Sequence, residues 1–162
     1  MKIKITLTAV FFILAISGSY AQTSDAEAEA IVNLLGVQKK EAVSKLVPVS
    51  GKDSVAFWKL YEEYHQLNKA TAKSRITLYE RTAMAYTNMT PAVADSLANK
   101  YFANRMEQEK TLETYYKKIK AATNAVVAFE FYQAEVYLLT QIRAQIMQQI
   151  PTYGQLVASM KK

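Results

Sequence analysis

A chain of 162 residues without cysteine, carrying a formal charge of +6, has no disulfide staples and no thiol chemistry, so its stability must come from a packed core. Setting aside Lys2 and Lys4 lowers the basic excess to about +4. The remaining cations are spaced as on a helix surface, with Ile119 interrupting Lys117, Lys118 and Lys120, which argues against a nucleic-acid partner. Four glycines and three prolines are too few for the turns of a sheet protein, and the expected class is all-α.

In chain order, Lys2 and Lys4 precede an apolar run from Ile5 to Ile16 and the small-residue site Ser19–Ala21. This pattern predicts a cleavable signal peptide over 1–21, followed by a single helical domain over 22–162. The expected location is therefore periplasmic or secreted. The run is shorter than the roughly 20 residues of a membrane span, no second run follows, and no stable membrane insertion is expected.

Ser24 with Glu27 forms a capping box that starts the first helix. Gly36 weakens this helix midway, leaving open whether it is one helix or two, and Pro48 in "VPVSG" stops it. Ser50 is the expected cap of a second helix, with Asp53 in its first turn, running to about Asn88. In "NMTPAVADSL", Thr90 caps and Pro91 takes the first helical position, where a missing N–H costs nothing. The third helix fades through "AATNA" into a fourth, which ends at Pro151.

The short link between helices two and three makes them an antiparallel hairpin. With Tyr86 beside Val93, the register places Lys69 near Lys110, Ala72 near Glu107 and Trp58 near Ala121. The polar middles, "NKATAKSR" and "NRMEQEKT", then coincide, and Lys69, Lys73 and Arg75 face Glu107 and Glu109. The expected architecture is a long helical hairpin packed with an N-terminal and a C-terminal helix, with a solvated, charge-paired waist or shallow cradle.

Chemistry is sparse. In "AFWKLYEEYHQLNKATAK", Trp58, Tyr61 and His65 share one helix face and Phe57, Leu60, Tyr64 and Leu67 the next, which reads as a wide apolar seam with Glu62 and Glu63 at the water edge. His65 is the sole histidine. With no cysteine beside it, a zinc site would need carboxylates almost alone. No nucleophile elbow, P-loop or Gly-rich dinucleotide turn is present, and no enzyme, metal or cofactor is expected. Eleven tyrosines, all but Tyr20 beyond the leader, either line the seams or form an amphipathic binding surface. On the second reading the candidate surface is Trp58, Tyr61, Tyr64, Tyr101, Met106, Tyr115 and Tyr116.

Together "SGKDSVAFWKLYEEY", "MTPAVADSL", "TLETYYKKIKA" and "FEFYQAEVYLLTQIRAQIMQQIP" resemble a family of exported, mostly uncharacterised bacterial helical proteins with F-W-x-x-Y-x-x-Y and F-x-Q-x-E elements. The resemblance spans about Val43 to Pro151. More distantly, the order of leader, short helix and long hairpin with Thr-initiated helices is similar to the Spy and CpxP group of periplasmic stress proteins. Asp53 and Val93 stand where that group's L-T-x-x-Q starts carry glutamine. The resemblance implies a noncatalytic envelope protein that holds other polypeptides without ATP, in a chaperone-like or envelope-stress role, its partners being client chains, an envelope protein or a second copy. The competing expectations are a periplasmic metal sensor or scavenger and an unrecognised hydrolase.

Overall fold

The computed structural model describes residues 25–148, with side chains from residue 29 onward. The predicted leader, the Ser24 cap and the stop at Pro151 lie outside the described residues. Four helices follow one another: α1 (Asp25–Leu46), α2 (Gly51–Ala85), α3 (Pro91–Ala122) and α4 (Ala125–Met147), with a 3-10 turn at Tyr86–Asn88 closing the α2/α3 hairpin. The all-α expectation holds, as does the hairpin flanked by two helices.

The third helix starts as its sequence predicts: Thr90 takes an extended backbone, its hydroxyl accepts from the Val93 N–H, and Pro91 follows. The α3/α4 junction is equally sharp. The Asn124 side chain accepts from the N–H groups of both Val126 and Val127 while its amide donates to Asp53 Oδ2 at 3.3 Å, so the new helix is capped and tied to the start of α2 at one residue. Ser50 behaves differently. It occupies the cap position but makes no side-chain cap bond. Gly51, with φ +58°, is the reason: the left-handed residue separates Ser50 from the first right-handed turn and carries the hydroxyl away from the orphan N–H groups.

Each helix buries a stripe at steps of three or four residues or, in α3, also at their two-turn sums of seven and eight: Val32, Gly36, Lys39, Val43 and Val47 at α1, Phe57, Tyr61, Tyr64 and Asn68 in α2, Leu97, Asn104, Leu112, Tyr115 and Ile119 in α3, Phe131, Glu135 and Leu138 in α4. That spacing is the seam of bundled helices. At the base of the hairpin the stripes meet in an aromatic cluster. The Phe131 ring lies edge-on to Phe57, Tyr61 and Tyr64 at 6.3, 6.3 and 5.3 Å between centroids, within the range of favourable edge-to-face pairs. Trp58, expected inside the seam, is only half-buried and packs edge-on against Phe57 and Tyr61.

The hairpin keeps its predicted register, since Tyr64 packs on Tyr115 and, further along, Arg75 bonds Asn104. Its waist is not the solvated one expected. The small residues there let α1 and α4 close over one side, where Val32 and Ile76 form a second buried cluster with Ile31, Ala72 and Ile146 against it. Asn68 and Asn104 are consequently buried. The other side stays open as a shallow groove along Ala70, Ser74, Thr77 and Ala103, edged by Lys73, Arg81, Lys100 and Glu107. Arg75 bonds Asn104 rather than a glutamate, and Lys73 Nζ lies 4.0 Å from Glu29 of α1.

Nor does Gly36 divide α1, which is continuous. A Cβ at that position would collide with Cε1 and Nε2 of His65, so the glycine is what allows the imidazole to lie against the α1 backbone. Close approach explains the residue better than helix weakness does.

Candidate functional site

Among the described residues, four polar side chains are buried, one per helix: Lys39, Asn68, Asn104 and Glu135. They join in two adjoining clusters. In the first, Glu135 Oε2 accepts from Lys39 Nζ at 2.9 Å and from the Tyr64 hydroxyl at 2.7 Å, and Asn68 donates to that hydroxyl oxygen at 3.3 Å. The Lys39 ammonium also lies 5.2 Å from the centroid of the Tyr64 ring. In the second, the Arg75 guanidinium donates through Nε to Asn104 Oδ1, and the Asn104 amide donates to the Thr71 carbonyl at 2.9 Å. Helices α1, α2 and α4 are thus pinned through one carboxylate, and α2 to α3 through one amide.

Several groups in these clusters remain unsatisfied. Glu135 Oε1, the Tyr61 hydroxyl, Asn68 Oδ1 and Arg75 Nη2 are buried without a hydrogen-bond partner. Burial, reinforced by the Glu135 charge, pushes the Tyr61 and Tyr64 hydroxyls far above the usual tyrosine range, so both stay protonated, and the Tyr64 hydroxyl donates to Glu135.

His65 stacks flat on Tyr61, 6.5 Å between centroids at 4°. Desolvation first, then the neighbouring Lys39 and Lys69 charges, lowers its pKa below the ordinary 6.5, against weaker opposition from Glu62 and Glu135. The unfolded chain therefore binds the His65 proton more readily, and the stability carried by the neutral ring is full above about pH 6.5 and declines as the pH falls through the lowered value. The Lys40 hydrogen bond, then that of Gln66, holds the Glu62 carboxyl below its ordinary value, so its own contribution is lost only at more acid pH. Urea midpoints measured between pH 7 and 5 should fall with acidity, and His65→Gln should flatten that slope. Identical slopes would show that the ring is not held neutral.

The structure divides the candidate surface. Tyr61, Tyr64 and Tyr115 are core residues and cannot meet a partner, because their rings build the hairpin's own seam. Trp58 and Tyr116 pack half-buried at its edge. Tyr101 packs on Tyr79, with its hydroxyl 2.9 Å from that of Thr82. Met106 alone is openly exposed, one turn beyond exposed Phe102.

A further run of exposed apolar residues was not among those candidates. On α4, Val126, Phe129, Tyr132, Val136 and Tyr137 all face outward, Val126 at 66 % and Phe129 at 55 % of full exposure. They lie on the side opposite Phe131, Ala134, Glu135 and Leu138, and Gln133 and Thr140 complete the face. Five exposed apolar residues on one side, with the half-exposed Glu130 at its edge, are unusual for a surface helix, which normally turns a polar face to water. The sequence held the signal: apolar residues occur all round α4, and of its charged residues Glu130, Glu135 and Arg143, Glu135 falls in step with Phe131 and Leu138 on the inner side.

Among the described residues, no group of three or more His, Asp or Glu is placed to hold a metal ion, and no helix is long and apolar enough to cross a membrane. No family model, curated relative or solved structure matches the chain.

Proposed function

We propose that the protein is a noncatalytic helical binding protein of the cell envelope, exported by its leader, that holds apolar segments of other polypeptides. The observation carrying this reading is the outer face of α4, where Val126, Phe129, Tyr132, Val136 and Tyr137 stand exposed, with half-exposed Glu130 at the edge beside Tyr137. Rings and branched side chains at one-turn intervals offer an extended or helical segment contact area at low entropic cost, with the tyrosine hydroxyls at the rim. Exposed apolar patches of this kind mark interaction sites. The same helix holds Phe131 and Glu135 in the core on its opposite side, so the face is presented on a rigid support.

Two of the side chains can be changed without touching that support. The double substitution Phe129→Ser/Tyr137→Ser should leave the thermal midpoint near that of the parent while weakening binding of a labelled, permanently unfolded polypeptide at least tenfold in an anisotropy titration. Equal binding by parent and variant would remove α4 from the interaction. A parent that sediments as a dimer and a variant that sediments as a monomer would identify the face as a self-interface instead.

A further inference from the structure

Beside the buried ion pair, and separate from the outer face of α4, a cleft of about 100 Å³ opens where the four helices meet over the hairpin's waist. Its walls are of two kinds. Val32, Leu35, Ile76, Leu139, Ile142 and Ile146 supply an apolar body. Lys69, Arg75 and Arg143 bring three cations beside Lys39, which is paired with Glu135, and among the described residues no Asp or Glu lines it. A purely structural gap between amphipathic helices has no reason to collect charge of one sign.

Two buried groups at this cleft lack partners. Arg75 spends Nε on Asn104 and holds its planar fork in place over the Tyr101 ring, 6.0 Å to the centroid, yet Nη2 is buried without an acceptor. Asn68, only 6 % exposed, donates to the Tyr64 hydroxyl, and its Oδ1 has no donor. The orientation of that amide is fixed chemically, because the Tyr64 proton is committed to Glu135 and the hydroxyl oxygen can only accept. An unpaired guanidinium N–H is costly to bury and is satisfied best by an anionic oxygen.

We infer that this cleft is a binding site for a small organic anion: a carboxylate accepting from Arg75 Nη2, with a short aliphatic body lying against Ile76, Ile142 and Ile146. The size follows from the volume. A cavity of about 150 Å³ takes a six-carbon benzene ring, so one of about 100 Å³ encloses roughly four carbons, the rest of a six-carbon ligand lying in the open mouth of the cleft. Asn68 Oδ1 and Arg75 Nη2 are seven residues apart on α2, about 10 Å along the helix axis at about 1.5 Å per residue. The carboxylate and a hydroxyl or N–H at the far end of such a ligand could therefore satisfy both, and a hydroxylated carboxylate should bind more tightly than its plain homologue.

The test is calorimetric titration of the full chain with hexanoate, 6-hydroxyhexanoate and 1-hexanol, with inorganic phosphate as the anion lacking an apolar body. The expected result is saturable one-to-one binding of both carboxylates, tighter for the hydroxylated one, with at least tenfold weaker binding of hexanol and phosphate. Arg75→Gln should lose at least tenfold in carboxylate affinity. If that variant does not fold, Ala72→Leu, which fills the cleft wall without removing a hydrogen bond, should abolish binding in its place. Absence of saturable carboxylate binding, equal binding of hexanol or phosphate, or undiminished affinity in the folded variant would each overturn the assignment.

Discussion

Replacing Lys39 with methionine should destabilise the protein by about 3–5 kcal/mol at neutral pH, because it strands the Glu135 carboxylate in the core with one neutral donor. Glu135 has no solvent exposure and Lys39 is 7 % exposed, so water cannot replace the lost ammonium as it would at a surface pair. Removing both charges is a different perturbation. Lys39→Met/Glu135→Leu leaves no buried charge, and its cost should be far smaller than that of Lys39→Met alone. Urea unfolding followed by Trp58, the single tryptophan, reads all three proteins. A Lys39→Met cost below about 1 kcal/mol would place the pair in solvent-like surroundings.

Phe131→Ala should cost a similar amount, about 3–5 kcal/mol, because it removes the ring that Phe57, Tyr61 and Tyr64 surround and leaves a cavity those rings cannot collapse into. Phe129→Ala, two residues earlier on the opposite side of α4, should change stability by less than about 0.5 kcal/mol. The contrast is informative because chemistry and helix are shared and only burial differs. Comparable losses from both would mean that another part of the chain covers the outer face of α4, and the polypeptide-binding reading would lose its surface.

Local signals carried most of the fold. Thr90 with Pro91 states a helix start in two residues, and a short link after a long helix imposes the hairpin and, with it, the pairing of Tyr64 with Tyr115. Non-local choices were less legible. Small and polar residues at the waist are equally compatible with solvent and with the approach of two further helices. The second outcome depends on Val32 and Ile146 reaching Ile76 from opposite ends of the described chain. Gly36 reads as a weak point until His65 is seen against it. The buried Lys39–Glu135 pair joins residues far apart in sequence and has no local signature beyond one glutamate in step with apolar neighbours.

For the proposed binding face the limit was of another kind. Aromatic residues were legible as a group, but their division between core and surface depends on helix phase relative to partners. Tyr61, Tyr64 and Tyr115 turned inward on the hairpin seam, while Phe129, Tyr132 and Tyr137 face out because Phe131 and Glu135, the latter bonded through Oε2 to Lys39 and Tyr64, commit α4 to its inward phase.

The claim that α4 holds other polypeptides is tested most directly by photocrosslinking from single sites in the presence of an unfolded polypeptide. A photoreactive phenylalanine analogue at position 129 should give adducts with the polypeptide, and the same analogue at exposed Phe102 of α3 should give few. Adducts at 102 with none at 129 would contradict the account and move binding to the hairpin.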